Sequence, residues 1–570
     1  MRRFIVYFLI LIWFSATPVR ALNQFSTDYN VTYTIQPTGN THVSLEISQR
    51  NNLSTVYATS FSLSLSQTKI QNIKVRDSLG SIIPELKISD NLTNISFDFN
   101  HRVVGKDKIN NFTVEYDTPD IATKQGSVWE INIPKLETDE NANNQTAILV
   151  VPDNFPTPTY LEPKPAKILD NTKFYFNASN LGNKSISAIF GSTSYYRVKL
   201  QYQLANPLKQ SLNTQIALPP DTSYQQVFIE NLQPKPLDIQ ADVDGNWLAS
   251  YSIPPSSQLE ITSSFVIKIS FNPKAWPLSV SNLYTKATRA WDFTDPSFFQ
   301  ISTQINTPKS IYDYVTSHLN YNYSKVVARD PNYRPGAAFA LSNPNQSICT
   351  EFSDLFIALS RRASIPSREL QGYAVSSNDK LKPISLTQDI LHSWPEYYDV
   401  NKQTWIQVDP TWAQTTNGVD YFNKLDLNHL VFAIHGQNPT QPLPAGAYKT
   451  ISSDSKNISV EPISPLNFPK PKIIVDKPIQ KENRLSFQIQ NEGNVAYRGD
   501  INIPSTQYTF QKDETVYILP GSSISQEIEI RKKPILKPTD INLIISLDGQ
   551  SSTQVITLTP YLNQVIAISL

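Results

Sequence analysis

From Asn23 to about Thr285 the chain alternates apolar and polar residues, broken by turn formers and with little helical period. YNVTYTIQ (29–36), HVSLEIS (42–48), YATSFSLSL (57–65), FTVEY (112–116) and TAILVVP (146–152) set the pattern. Such alternation turns one face of each strand to a core and the other to water. Many short strands at this spacing predict β-sandwiches, and the length predicts two, over 22–190 and 191–285. Their break is placed at SAIFGST (187–193), with YYRVKLQYQL opening the second.

After Trp291 the period changes. In SIYDYVTSHLNYNYSKV (310–326), Ile311, Tyr314, Val315, His318 and Leu319 recur at spacings of three and four, predicting a helix with one buried face. EFSDLFIALSRRA (351–363) repeats this through Phe352, Leu355, Phe356 and Leu359, and Pro366 bounds it. ELQGYAV (369–375), HSWPEYYDV (392–400) and TWIQVD (404–409) then predict strands, so 286–436 reads as an α+β unit. A Pro-, Ser- and Asn-rich stretch, 437–469, is expected to be a linker. RLSFQIQNEGNVAYRGDINI, TVYILPG and INLIISLDG predict a last β-sandwich over 470–570, resembling bacterial immunoglobulin-like modules.

At 570 residues a multidomain chain is expected in any case. Lys+Arg and Asp+Glu balance at 49 each, so no charge excess points to nucleic acid. Arg2 and Arg3, the apolar run Phe4 to Ala16 and Val19-Arg20-Ala21 have the order of a secretory signal, 1–21. Its apolar run is shorter than the ~20 residues of a spanning helix. The expected location is therefore secreted or extracytoplasmic.

Against that export signal, a single cysteine is unexpected. Cys349 cannot form an intrachain disulfide. It lies at i−3 and i−7 from Phe352 and Phe356, at the start of the predicted helix and on its buried side. A helix N-terminus favours thiolate over thiol and can hold an oxyanion. A nucleophilic thiol also needs a base, and the base an orienting acceptor. Of the six histidines, His392 opens a strand that a turn near Val400 joins to TWIQVD. A turn centred between 400 and 401 sets His392 opposite Asp409, with Cβ atoms roughly 5 Å apart. A turn moved by one residue leaves them diagonal neighbours. Trp394 and Trp405 are expected to flank the pair. His429 and His435 follow the last strand of the block and receive no role. Neither a Gly-rich phosphate loop, nor a Cys/His cluster, nor a calcium-loop spacing occurs, so no metal or cofactor is expected.

The segments 336–373 (GAAFALSNPNQSICTEFSDLFIALSRRASIPSRELQGY), 392–398 (HSWPEYY) and 405–412 (WIQVDPTW) resemble the transglutaminase-like domain of the papain-like thiol superfamily. The family pattern is a cysteine opening a helix, Arg-x-x-Gly-Ile-Pro-x-Arg leading to a strand with Gly-Tyr, His-x-Trp, and Asp-Pro-Thr. Ser347 and Ser364 stand where the family has glycine, and Pro395 sits inside the His strand, which predicts an edge strand or a bulge there. The resemblance implies a papain-like transglutaminase core flanked by all-β domains. It implies Cys349 as nucleophile, His392 as general base and acid, and Asp409 as orienter. The expected activity is thiol acyl transfer on peptide or glutamine carboxamide carbonyls through a thioester, resolved by water (protease or amidase) or by an amine (transglutaminase). The expected partner is a protein or peptide substrate, with a cell-wall or cell-surface component as a further candidate. The alternative is an extracellular scaffold or adhesion protein that keeps the fold without turnover.

Overall fold

In the computed structural model, residues 24–560 are described except 68, 90–91, 127, 136–141, 183, 277–280, 328–333, 377–380, 384–390, 449–456, 465–470 and 548–549. The signal at 1–21 lies outside them. Among the described residues, no helix is long and apolar enough to cross a membrane.

Each of the five alternating stretches of the N-terminal region contributes most of its residues to a strand. Phe25–Ile35 and Thr41–Asn51 form an antiparallel hairpin in full register, from Phe25 opposite Asn51 to Ile35 opposite Thr41. Tyr29, Val31, Tyr33 and Ile35 point inward, opposite Val43, Leu45 and Ile47, and the hairpin sits inside an eight-stranded sheet. Burying every second residue is what the period of two demands.

The next sheet is built on two 14-residue strands, Thr193–Asn206 and Ser257–Ser270, paired along their whole length. Gln225–Gln233 flanks one side. The other side is taken by Ile458–Ile463, which pairs with Tyr195–Leu200. The stretch expected to be a linker therefore contributes a strand to this sheet. Thr193–Asn206 would otherwise leave one edge of its backbone unpaired. Towards the C-terminus two further four-stranded sheets share a core of Leu485, Phe487, Ile489, Ile501, Ile503, Ile528, Leu543 and Ile545.

The α+β unit holds the site. Helix α1, Pro308–His318, starts on a reciprocal cap: Ser310 N–H donates to Thr307 Oγ1, and Thr307 N–H to Ser310 Oγ. It ends at His318, well short of 326, because Leu319 turns to extended backbone. Helix α2, Cys349–Arg362, is buried along nearly its whole length. It packs against a four-stranded antiparallel sheet of strands β1 (Ser367–Ala374), β2 (His392–Asp399), β3 (Thr404–Gln407) and β4 (His429–His435), in the order β3-β2-β1-β4. A short helix α3, Pro410–Thr415, follows β3. Ser364, after α2, has φ +62°, a conformation that favours glycine and explains the family's preference there. A Cβ at Gly372 would lie 1.9 Å from the Leu430 carbonyl oxygen, so the β1–β4 contact closes only over glycine.

The outer edge of β4 is covered by side chains of the neighbouring β-sheets. The Gln225 amide donates to Val431 O and accepts from Val431 N–H, at 2.9 Å each. Asn246 does the same to Ile434, at 2.8 and 2.7 Å. Each amide imitates one rung of a β-ladder, so the edge strand keeps its backbone satisfied.

Candidate active site

Cys349 is the first residue of α2 and only 1% exposed. Ahead of it, the Ile348 N–H donates to Glu351 Oε2 at 2.9 Å, tying the entry of the helix. Ser347 has φ −108° and ψ 138°, extended backbone open to any residue, so this turn does not require the family's glycine. A serine fits, although its buried Oγ has no hydrogen-bond partner among the described residues.

His392, also buried, opens β2. Its Nε2–H donates to Asp409 Oδ2 at 2.9 Å. With Nε2 so engaged, Nδ1 is the remaining ring nitrogen. It makes no hydrogen bond of regular geometry, while the Cys349 side chain interacts with the same imidazole. The Trp394 and Trp412 rings lie near-parallel to the imidazole at 5.8 and 5.2 Å, fixing its plane. Trp405, expected beside the pair, packs instead with Tyr284, Tyr398 and the Arg368 guanidinium. Trp412 takes its place.

The three residues are together, though the His–Asp contact is not a ladder pair. Strands β2 and β3 pair Glu396 with Gln407 and Asp399 with Thr404, placing the turn one residue later than a 400/401 centre. The ladder ends at Gln407, and Asp409 becomes the N-cap of α3. Its Oδ1 accepts from Thr411 N–H and Trp412 N–H at 2.9 and 3.0 Å, leaving Oδ2 aimed at His392. Pro395 lies in an inner strand, not an edge. Its carbonyl accepts from Val408 N–H just beyond the last β2–β3 pair, so its missing N–H costs one bond at the end of the ladder.

Burial alone would depress the His392 pKa. The charge and hydrogen bond of Asp409 outweigh it, the Cys349 side chain adds to them, and the value is pushed up to about 10. Burial would raise Asp409, and the His392 and His429 contacts instead hold it well below the usual carboxylate range.

His429, which opens β4, received no role from the sequence. Its Nε2 lies 3.3 Å from Asp409 Oδ2, and its Nδ1 2.6 Å from Asp426 Oδ1. The facing atoms of His392, Asp409 and His429 lie within 4.8 Å of one another, near enough for a metal ion. Both Nε2 atoms lie within hydrogen-bond reach of the same acceptor, Asp409 Oδ2, so each donates a proton that a metal would have to displace. The donor set fits a hydrogen-bonded chain better than a coordination sphere.

Across β2 lies a second polar cluster. Ser393 Oγ donates to Glu369 Oε1 at 2.6 Å, and His435 Nδ1 lies 2.9 Å from Glu369 Oε2. Arg334 bridges Glu369 and Asp354, and Trp291 Nε1–H donates to Asp354 at 2.8 Å. Burial raises Asp354 to about 6, whereas Arg334 and His435 overcome burial and hold Glu369 low. One guanidinium between two buried carboxylates cannot neutralise both.

Residues 298–410 match the family model of the transglutaminase-like superfamily. The chain carries a transglutaminase-like domain. The matched segment contains Cys349, His392 and Asp409 and stops short of Asp426 and His429. No curated protein matches the chain. Among solved structures, the chain is similar to a candidate cysteine protease from Cytophaga hutchinsonii (12% identity, 64% of this chain and 97% of that one, TM-score 0.30). It is also similar to the periplasmic domain of TgpA from Pseudomonas aeruginosa (12% identity, 40% and 91%, TM-score 0.23). A third likeness is leukotriene A4 hydrolase from Saccharomyces cerevisiae (10% identity, 30% of each chain, TM-score 0.22). At these scores none bears on activity.

Proposed function

We propose that the transglutaminase-like domain is an extracytoplasmic thiol acyl-transfer enzyme acting on peptide or glutamine carboxamide carbonyls. The observation that carries the reading is the His392 imidazole, bonded through Nε2 to Asp409 at 2.9 Å and facing the Cys349 side chain. In this reading the raised basicity of His392 lets Nδ1 hold the thiol proton before the substrate reacts, so Cys349 attacks the carbonyl carbon as a thiolate, and the carbonyl π electrons move to oxygen. The N-terminal end of α2 faces that developing oxyanion with its positive pole. Collapse of the tetrahedral intermediate breaks the C–N bond. The proton on His392 passes to the leaving amine or ammonia, leaving a thioester. Water then attacks, His392 takes its proton, and the carboxylic acid leaves as the proton returns to sulfur. An amine in place of water gives a transamidation product by the same proton steps. Asp409 holds Nε2–H, which leaves Nδ1 as the nitrogen that carries the thiol proton. Hydrolysis is the preferred outcome, because water needs no acceptor site of its own.

The test is iodoacetamide labelling of the mature protein between about pH 5 and 7, where the one cysteine makes the readout unambiguous. Labelling faster than free cysteine and slowed in His392→Ala is expected. An ordinary slow thiol, or a His392→Ala variant that labels like the parent, would point to a scaffold without turnover. A labelled primary amine offered with a glutamine-rich protein then sorts the two outcomes. Incorporation indicates transamidation, whereas new termini or ammonia without incorporation indicates hydrolysis.

A further inference from the structure

The polar chain continues beyond Asp409. His429 stands between two carboxylates, with Nε2 toward Asp409 Oδ2 and Nδ1 toward Asp426 Oδ1. A carboxylate oxygen only accepts, so both ring nitrogens must donate, and a ring with two N–H groups is an imidazolium. Burial opposes that charge, yet the two aspartates raise the His429 pKa. Asp426 in turn lies 3.9 Å from Lys382 Nζ, and against burial the charge and hydrogen bond of His429, together with Lys382, hold Asp426 down at about 2. Asp409, His429, Asp426 and Lys382 thus alternate in sign from the site outward.

Among the described residues, three aromatic rings also pack against His429. Strand β2 presents His392 and Trp394, the latter 4.8 Å away ring to ring, and α3 presents Trp412 at 4.6 Å. The loop carrying Asp426 is held from the N-terminal β-region. Glu130, in the strand Val128–Ile133, accepts from Leu427 N–H at 2.6 Å and from Asn428 Nδ2–H at 2.8 Å. Lys424 Nζ donates to Asn132 Oδ1 at 3.0 Å.

We propose that His429 is a positioning residue for the reaction above: a charged imidazolium, braced by Asp426 on a loop anchored to Glu130, that fixes Asp409 Oδ2 and through it the His392 ring. This rests on the reading of Cys349, His392 and Asp409 as the reacting triad. A neutral amide in place of His429 leaves two buried carboxylates with no cation between them. One must take up a proton or move away, and His392 loses a fixed acceptor. Removing the Asp426 charge as well restores the balance, since an amide can donate to Asp409 and accept from an asparagine.

The test uses the full chain and three variants, His429→Gln, Asp426→Asn and the double. Histidine nitrogen NMR of the parent between pH 6 and 9 should show an imidazole protonated at both nitrogens that is absent from His429→Gln. A His429 with one bare ring nitrogen at pH 7 overturns the proposal. Iodoacetamide labelling should slow by about 10- to 100-fold in His429→Gln, as for other outer-shell partners. It should recover at least several-fold in the double variant. Unchanged labelling in His429→Gln, or a double variant no faster than that single one, overturns it, because lost packing is not mended by a second substitution. Should His429→Gln not fold, Asp426→Asn decides. There His429 should lose its second ring proton at lower pH than in the parent, and an unaltered, doubly protonated ring refutes the bracing. A parent thiol of ordinary reactivity would sink the proposed function. A reactive parent with an indifferent His429→Gln sinks this inference alone.

Discussion

Asp409→Asn separates the two jobs of one carboxylate. Oδ1 caps α3 through two backbone N–H bonds, and asparagine caps a helix about as well as aspartate. Oδ2 holds a charge against His392, and that charge is what the substitution removes. For charge centres about 4 Å apart at an effective dielectric of about 20, the lost attraction is about 4 kcal/mol. That moves the His392 titration down by about 3 pH units, from about 10 to about 7. Burial, which pulls the same way, is then opposed chiefly by the Cys349 side chain. Nitrogen-labelled histidine NMR reads this directly, with His392→Ala assigning the resonance among six histidines. Far-ultraviolet circular dichroism and a urea midpoint check that α3 and the sheet persist. A His392 still titrating near its parental pH in Asp409→Asn would refute the electrostatic account. So would a collapse of the fold, which would mean that the cap and not the charge was lost.

The same pair sets a pH dependence of stability. His392 has a folded pKa of about 10 against an ordinary 6.5, so its contribution is complete below pH 6.5 and is lost as pH rises towards 10. Urea midpoints should fall across that window in the parent and much less in Asp409→Asn; equal falls would contradict the linkage. Arg334→Met leaves Asp354 and Glu369 buried without their shared cation, and should cost about 3–5 kcal/mol in chemical denaturation. A loss under 1 kcal/mol would show that the carboxylates are neutral in the parent. Ser364→Gly relieves the left-handed backbone at φ +62° and should stabilise by about 1 kcal/mol, read as a raised Tm. A lowered Tm would place the strain elsewhere.

Residues whose local pattern and tertiary role agree were legible in the sequence. The alternation around Tyr29 to Ile35 needs only period two and one buried face. The helix at Cys349 follows from Phe352, Phe356 and Leu359 on one stripe, and His392 and Asp409 from the hairpin between them. Three features were hidden for physical reasons. The register at Asp409 depends on where the chain leaves β3 to cap α3, which no strand periodicity encodes. His429 is named by contacts, being 20 residues from Asp409 in sequence and 3.3 Å away in space. Ile458–Ile463 pairs with a strand more than 250 residues earlier; its short mixed pattern in a proline-rich stretch resembles a linker until the partner edge is seen. The Asp-x-x-His spacing of Asp426 and His429 was the one local clue available, because two residues three apart at the mouth of a strand can close on each other.

The amides of Gln225 and Asn246 on β4, with Glu130 beneath the Asp426 loop, also bear on how such a chain can be cut and recombined. A fragment trimmed to 286–436 would carry off Val431 and Ile434 with their backbone groups bare, opening a sticky edge onto which a second fragment could dock. Its expected fate in solution is self-association. A graft of this domain into another protein would need hosts for those rungs, whereas a graft of the N-terminal sheets alone would leave Glu130 without its loop. In inheritance, then, these segments should travel as one package.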